Sequence, residues 1–115
     1  MNLFGKQKNG GDFNNVDSMD KVKELANQGV LGPLYLMPLR FNGAESAENR
    51  VFVPIFVIEL KDRYDDMVEK LLIEGKVDGY SCDLEYKGNS KIPSKLYIKA
   101  KKGDKLVFNE TINIW

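Results

Sequence analysis

The sequence contains no histidine, and its only cysteine is Cys82. Histidine is the side chain that most often moves protons at neutral pH, and it is a common ligand of zinc, copper, nickel and iron. Its absence excludes Ser-His-Asp and Cys-His catalysis, because both need an imidazole base. No glycine-rich phosphate loop or dinucleotide-binding motif is present. The sequence therefore favours binding over catalysis, without a metal or a cofactor.

Signals for export or membrane insertion are also lacking. A single cysteine allows no internal disulfide, and the N-terminal segment does not resemble a secretory signal. The longest apolar run, Val51 to Ile58, is far shorter than the roughly 20 residues of a membrane span. These features predict a cytoplasmic protein that does not attach to membranes.

The length and composition predict one domain behind a tail. Residues 1–15 are rich in glycine and asparagine and predict a flexible tail. Residues 16–115 are long enough, at 43% hydrophobic content for the whole chain, to bury one core. We therefore expect a single domain over 16–115.

Charge is balanced overall but unevenly spread. Lysine and arginine number 17, as do aspartate and glutamate. Residues 59–85 carry nine acids and four bases, a net of −5, whereas residues 86–115 carry seven lysines and two acids, a net of +5. Such asymmetry can steer a partner of opposite charge. The overall balance argues against general affinity for nucleic acid.

The N-terminal half predicts a short helix and a first strand. Apolar residues recur at helical spacing over 18–28, and Asp17 or Ser18 can serve as the N-cap. The apolar and aromatic segment 34–41 then predicts a strand, in which Pro38 favours an edge or a bulge.

The centre of the chain predicts the main helix. Pro54 is compatible with one long strand from Val51 to Ile58, or with a short strand over 51–53 followed by a helix that begins at the proline. The helical projection favours a helix over about 55–74, because its apolar residues share one side. That stripe consists of Val57, Leu60, Tyr64, Met67, Val68, Leu71 and Leu72.

The last third of the chain alternates between apolar and polar residues. Two such segments, 80–87 and 95–101, and a third that ends near Ile114, predict a three-stranded meander. Leu106 shares the inward parity of the final strand. Glu110 breaks that parity, which predicts a β-bulge in preference to a functional carboxylate.

These elements predict an α+β fold with a single antiparallel sheet of about five strands. Two strands come from the N-terminal half and three from the C-terminal meander. The main helix is expected to cover one face of the sheet, because its apolar stripe and the apolar face of the strands each need a partner.

The most distinctive candidate surface is a lysine face on the fourth predicted strand. Its residues are Lys95, Tyr97, Lys99 and Lys101, which project opposite the apolar residues of the same strand. Lysines neutralise phosphates and a tyrosine can stack on a base, so the pattern suits single-stranded nucleic acid or an acidic protein. A solvated face whose lysines prevent edge-to-edge aggregation is the more ordinary interpretation.

Two acidic or mixed clusters are weaker candidates. Asp62, Asp66 and Glu69 share the polar side of the main helix, where a solvated surface or a site for a basic partner is expected rather than a cation site.

The loop at 42–50 and its approach carry Arg40, Glu45, Glu48 and Arg50. A carboxylate pair there could do acid–base chemistry, but an ordinary connection between strands is the simpler interpretation.

Cys82 and Trp115 complete the candidates. Cys82 has the inward parity of its strand, so a buried, unreactive thiol is expected. Trp115 is compatible with packing over the sheet or with an exposed interface anchor.

We interpret the sequence as a small cytoplasmic module that binds an unknown protein, as an adaptor or an inhibitor of a larger protein. The alternatives are a nucleic-acid accessory protein that uses the lysine face, and a carboxylate enzyme that uses the loop at 42–50. A homodimer joined by complementary charge is compatible with the first hypothesis.

Overall fold

The computed structural model describes residues 12–115. Along the chain, its helices and strands are α1 (Met19–Asn27), β1 (Leu31–Tyr35), β2 (Arg50–Pro54), α2 (Ile55–Ile73), β3 (Gly79–Glu85), β4 (Lys95–Lys102) and β5 (Lys105–Asn113). β1 and β2 form one antiparallel sheet, and β3, β4 and β5 form a second with β4 in the centre. The predicted α+β class and single domain are confirmed, with the five strands divided between two sheets.

The tail predicted over 1–15 falls mostly outside the described residues. Of its described part, 12–15, the Phe13 ring is buried and meets Trp115 edge to face, with ring centroids 6.3 Å apart. The Trp115 indole is half-buried, and its Nε1 donates a hydrogen bond of 3.1 Å to the Ile92 carbonyl. Trp115 therefore packs against the buried cluster that contains Phe13 and Ile92.

α1 forms where its capping residues and spacing predict it. The Ser18 hydroxyl accepts a hydrogen bond of 3.3 Å from the Lys21 amide, which satisfies one of the free amides of the first turn. Gly29, with φ of 79°, ends the helix in the left-handed conformation that glycine adopts without a steric penalty. Val22 faces inward and is buried against Leu31 and Ile92.

The first strand lies earlier in the chain than predicted, so the strand expected over 34–41 is wrong in both bounds. Pro33 lies within β1, opposite Phe52. The Leu36 amide donates to the Asn49 carbonyl, and this places Pro33 in a non-hydrogen-bonded pair, where its missing amide costs no ladder bond. Beyond β1 the chain forms a 3-10 turn at Leu39–Phe41 instead of continuing as a strand.

α2 begins where Pro54 ends β2, as the helical interpretation of the proline predicts. The helix packs across the inner face of the three-stranded sheet. Val57 on α2 lies fully buried with Leu96 and Ile98 of β4 and with Val53 of β2, so the main core lies between α2 and both sheets.

The buried side of α2 is rotated relative to the predicted stripe. Met67, expected in the core, is 51% exposed, whereas Lys61 and Asp65 are only 3% and 4% exposed. Their opposite charges meet at 2.6 Å, which allows the two polar residues to occupy core positions between Val57 and Val68.

The final strand contains a β-bulge, but not at the predicted position. The register shifts between Ala100 and Lys101, and Lys101 pairs with Leu106, so Val107 is the extra residue. The bulge predicted at Glu110 is therefore wrong, because Glu110 lies in the unbroken part of the register. The shift also turns Leu106 to the face of Lys101, where it is exposed and not part of the core.

Candidate functional site

The lysine face lies on the open side of the three-stranded sheet. Lys95, Tyr97 and Lys99 are half-buried and Lys101 is exposed, while the residues that alternate with them are buried beneath α2. Acids on the neighbouring strand offset this charge. Glu85 pairs across the sheet with Lys95, and its carboxylate accepts a hydrogen bond of 2.6 Å from the Tyr97 hydroxyl.

Asp83, directly opposite Tyr97, adds a second acid beside the lysine face. The hydrogen bond to Glu85 raises the pKa of Tyr97, so the phenol stays protonated. The Tyr97 ring, which could stack on a base, is thus held by its hydrogen bond to Glu85, and the surface around it carries both positive and negative charges. This arrangement weakens the case for phosphate binding, which needs a field of one sign.

The acids of α2 are paired with Arg40, a residue that the sequence analysis assigned to a different candidate. The Arg40 guanidinium lies 2.6 Å from Asp66 and 3.2 Å from Glu69 through Nη1, and 3.4 Å from Asp62 through Nη2. Nη2 also donates to the Asp62 carbonyl at 3.2 Å. Sequence separations of 22 to 29 residues make this contact invisible to local patterns.

The side chain of Asn49 holds the segment that carries Arg40 through hydrogen bonds to Met37 and Ala44, a set of contacts here named the bracket. The Met37 amide donates to Asn49 Oδ1, and Asn49 Nδ2 donates to the Met37 carbonyl, both at 2.8 Å. Asn49 Nδ2 also donates to the Ala44 carbonyl at 2.9 Å. Gly43 passes so close that an added Cβ would lie 1.9 Å from the Met37 carbonyl oxygen. The bracket thereby fixes Arg40 over α2.

The remaining loop candidates do not converge on one site. Glu45 and Glu48 are exposed, and neither belongs to a salt bridge within residues 12–115. Arg50 begins β2 and lies in a different cleft from Arg40. Arg40 and Arg50 therefore line two separate clefts of the molecule.

A buried polar cluster joins α2 to β3. Lys61 Nζ lies 2.6 Å from Asp65 Oδ2, and the Tyr80 hydroxyl donates to Asp65 Oδ1 at 2.6 Å. Lys61 Nζ is also 5.5 Å from the centroid of the Tyr80 ring. Burial raises the pKa of Tyr80 well above its usual value, and the hydrogen bond to Asp65 adds to the shift. Each polar group in the cluster thus has a partner.

The charges of Lys61 and Asp65 in this cluster act on the thiol of Cys82. Burial raises the pKa of its thiol to about 12, and the Lys61 ammonium only partly opposes this. The thiol is therefore protonated at neutral pH and is not activated as a nucleophile.

Arg40, Lys61 and Asp65 line a groove of about 400 Å³ beside β1, here named the paired groove. It is lined by Pro33, Leu34, Tyr35, Pro38, Leu39, Arg40, Ile58, Glu59, Lys61, Asp62 and Asp65. Its cations, Arg40 and Lys61, each contact carboxylates of the same chain. Both positive charges of the groove are therefore paired internally.

A second cleft, of about 500 Å³, lies on the other side of the two-stranded sheet and is here named the basic cleft. Most of the residues that line it are apolar, and two at its rim, Met19 and Tyr86, are 49% and 46% exposed. The full lining is Met19, Val22, Ala47, Arg50, Val51, Phe52, Tyr86, Ser90 and Lys91. Pockets of this volume and composition suit ligands that bury apolar groups around a few polar contacts.

Main-chain contacts fix the wall of the basic cleft formed by the segment 86–91. The Ser90 hydroxyl donates to the Phe13 carbonyl at 2.7 Å, and the Lys91 amide donates to the Val16 carbonyl at 2.7 Å. These bonds tie the turn to the segment that precedes α1. The Lys91 side chain is thereby held at the cleft on an anchored backbone.

The basic cleft contains charge of one sign. Arg50 and Lys91 are the ionisable cations of its lining, and neither forms a salt bridge with another described residue. Arg50 instead lies 6.0 Å from the centroid of the Phe52 ring. The nearby acid Asp17 forms its salt bridge with Lys21, at 2.9 Å. This contact lowers the pKa of Asp17, and the charge of Lys91 contributes least to that lowering.

The sequence analysis missed the basic cleft, because its walls come from four separate segments. It also missed the Lys61–Asp65 pair, for which a signal was present: two opposite charges at i and i+4 lie between Val57 and Val68 on the apolar side of the helix. Within residues 12–115, no group of three or more cysteines, aspartates or glutamates is arranged to hold a metal ion. In that same range, no helix is long and apolar enough to cross a bilayer.

Comparison of this chain with family models, with curated proteins and with solved structures finds no match in any of the three.

Proposed function

We propose that this protein is a small, non-catalytic binding module that acts by protein–protein contact in the cytoplasm, as an adaptor or an inhibitor of a larger protein. The observation that carries the proposal is the basic cleft, whose lining is mostly apolar and in which Arg50 and Lys91 form no salt bridge with any residue of the described range 12–115. A segment of a partner that carries both acidic and apolar side chains complements this surface.

The chemistry of the cleft favours a protein segment as the occupant. Apolar residues with exposed aromatic and methionine side chains at the rim are typical of protein interfaces, which also concentrate arginine. Arg50 is suited to a partner carboxylate because its planar guanidinium can bind both oxygens.

Other parts of the molecule offer less to a partner. The acids Asp62, Asp66 and Glu69 already surround Arg40, so a basic partner would have to compete with an internal cation. The same pairing weakens a homodimer in which the lysine face meets these acids. On the lysine face, Glu85 and Asp83 offset the lysines and reduce its attraction for nucleic acid.

The proposed cytoplasmic location rests on cysteine use. A single cysteine allows no internal disulfide, and chains without disulfides are typical of a reducing compartment.

Affinity capture with matched variants tests the proposal. Tagged wild-type protein, an Arg50→Glu/Lys91→Glu variant and a Lys99→Glu/Lys101→Glu control are incubated with lysate of the cells that make the protein, with and without nuclease treatment. We expect a protein that the wild type and the control retain and the cleft variant loses. Circular dichroism verifies that all three proteins are folded.

Three results would contradict the proposal. Equal retention by the cleft variant would remove the basic cleft from the interaction. Loss with the lysine-face control alone would move the interface to β4. Recovery that disappears on nuclease treatment would support nucleic-acid binding instead.

A further inference from the structure

The hydrogen-bond pattern of the two-stranded sheet determines which backbone groups point outward. The Leu36 amide donates to the Asn49 carbonyl at 2.9 Å, in register with the β1–β2 pairing. Bonded and non-bonded pairs alternate in an antiparallel ladder, so the pairs of Leu34 and Gly32 with β2 are bonded. Residues 33 and 35 of β1, and residues 50 and 52 of β2, therefore point their amides and carbonyls away from the partner strand.

The two outer edges of this sheet differ in what they can bind. On β1 the outward position is occupied by Pro33, which has no amide to donate, and the edge lies beside the paired groove. An edge that carries proline is protected against the addition of another strand. The β1 edge is therefore closed to backbone pairing at its centre.

On β2 the outward groups are those of Arg50 and Phe52, which also line the basic cleft. The Arg50 amide is used, because it donates to the Ala47 carbonyl. The register turns the Phe52 amide, the Phe52 carbonyl and the Arg50 carbonyl away from β1, and outside the strand ladder no backbone hydrogen bond joins them to another residue of the described range 12–115. Within the described part of the chain, the outer edge of β2 is therefore unpaired, and it runs along a mostly apolar cleft with two cations that have no carboxylate partner there.

We propose that an extended segment of the partner protein binds in the basic cleft as a third strand of this sheet, antiparallel or parallel to β2, through the backbone groups of Phe52 and Arg50. The inference rests on the proposed function and specifies its mode. In strand addition, the main chain supplies affinity and alternate side chains supply specificity. Apolar side chains of the segment contact the cleft, and its acidic side chains reach Arg50 and Lys91.

The charge of the cleft selects the partner segment over the N-terminus of this chain. Residues 1–11 contain Lys6 and Lys8 and no acid, so they carry the same sign as Arg50 and Lys91. A segment of opposite sign gains attraction where the N-terminal residues would meet repulsion.

A peptide selection followed by amide exchange tests both the chemistry and the geometry. Random dodecapeptides displayed on phage are selected on the full chain. A synthetic copy of the most enriched peptide is then titrated against the wild type, against Arg50→Gln/Lys91→Gln and against the control Lys99→Gln/Lys101→Gln. Hydrogen exchange of the complex, followed by NMR, reports the Phe52 amide.

The proposal predicts peptides with acidic residues among alternating apolar ones. Their affinity falls at least tenfold in the cleft variant and is unchanged in the control. The Phe52 amide exchanges more slowly in the complex, while the amides of β5, the outer strand of the other sheet, do not change. The glutamine variants retain the size of the side chains, so a loss of affinity reports charge.

Different negative results would contradict strand addition and the proposed function separately. Cleft-dependent peptide binding that leaves Phe52 exchange unchanged overturns strand addition and leaves the proposed function standing. Slower exchange along β5 in place of Phe52 also overturns strand addition at β2. Failure to enrich any peptide, or enrichment of peptides without acidic residues, overturns the acidic strand. If affinity capture also yields no protein that depends on Arg50 and Lys91, the proposed function fails with it.

Discussion

The basic cleft and the paired groove flank the same two-stranded sheet, but they differ in whether their cations are paired with carboxylates of the chain. In the paired groove, Arg40 contacts three carboxylates and Lys61 contacts Asp65. In the basic cleft, Arg50 and Lys91 contact no carboxylate of the described chain. Charges that are paired internally hold the fold together, whereas unpaired charges remain available to a partner. The number of charged residues in a segment does not distinguish the two uses.

The largest expected effect comes from breaking the buried pair. Lys61→Ala leaves the Asp65 carboxylate without its cation in the core, and we expect the free energy of unfolding to fall by about 3–5 kcal/mol. Urea denaturation measures the change. A Lys61→Met/Asp65→Asn variant serves as the control, because it removes both charges, keeps an oxygen that can accept from the Tyr80 hydroxyl and is expected to lose much less. Equal losses in the two variants would show that packing, and not charge, dominates there.

The dependence of stability on pH tests whether Cys82, beside the same cluster, is buried. Its pKa of about 12 in the folded state lies above the value of 9.0 for a free thiol. A raised pKa stabilises the fold below pH 9, and this contribution is lost as the pH rises toward 12. We expect a loss of about 2 kcal/mol between pH 8 and pH 11 that is attributable to this thiol.

The Cys82→Ala variant isolates the contribution of the thiol, because burial also raises the pKa of Tyr80 and both proteins share that contribution. Urea denaturation of both proteins at pH 8 and pH 11 should give a smaller loss for the variant. Identical pH profiles would place the thiol in a more solvated environment than the structure does.

Gly43 tests the bracket that positions Arg40. A Cβ at this residue would lie 1.9 Å from the Met37 carbonyl oxygen, and this oxygen belongs to the backbone and cannot rotate away. We expect Gly43→Ala to reduce the free energy of unfolding by about 1–3 kcal/mol. Gly79→Ala is a matched comparison, since its added Cβ would meet no atom within 4 Å. Similar midpoints for the two variants in thermal unfolding would contradict the bracket.

Arg40 is expected to contribute less to the free energy of unfolding than the buried Lys61–Asp65 pair, because the carboxylates around Arg40 are partly exposed. Arg40→Gln should reduce stability by about 1 kcal/mol at low salt. The difference from the wild type should shrink in 1 M salt, where screening acts over about 3 Å. A difference that is unaffected by salt would mean that packing of the Arg40 side chain, and not its charge, matters.

The smallest effect on stability is expected in the basic cleft. Arg50→Gln/Lys91→Gln removes two charges without internal partners, so its free energy of unfolding should stay within about 0.5 kcal/mol of the wild type. Urea denaturation of this variant beside Arg40→Gln compares the two sides of the sheet directly. A loss larger than that of Arg40→Gln would show that these cations serve the fold.

Local patterns in the sequence predict most of the elements, and their failures have specific causes. Capping by Ser18 and the apolar spacing predict α1, and alternation predicts the three C-terminal strands. Gly32-Pro33 indicates a break but lies inside β1, because an outward edge position tolerates proline. Leu106 leaves the core because a bulge at Val107 changes the parity of the strand.

The candidate sites were harder to predict, because they depend on contacts between distant segments. The sequence places Arg40 in one candidate site and Asp66 in another, and only the fold brings them within 2.6 Å. The basic cleft likewise combines Met19, Arg50 and Lys91, which no local pattern connects. Arg50 was a candidate only as part of the loop at 42–50, for which acid–base chemistry or an ordinary connection was expected, whereas the structure places it at the start of β2.

Site-specific photo-crosslinking in the cells that make the protein shows which surface a partner contacts. A photoreactive phenylalanine analogue replaces Tyr86 at the rim of the basic cleft or, as a control, Tyr97 on the lysine face. If the partner binds in the basic cleft, position 86 gives a discrete protein adduct that disappears with Arg50→Glu/Lys91→Glu, and position 97 gives none. An adduct from position 97 alone, or one from position 86 that persists in the charge-reversed variant, would contradict binding in the cleft.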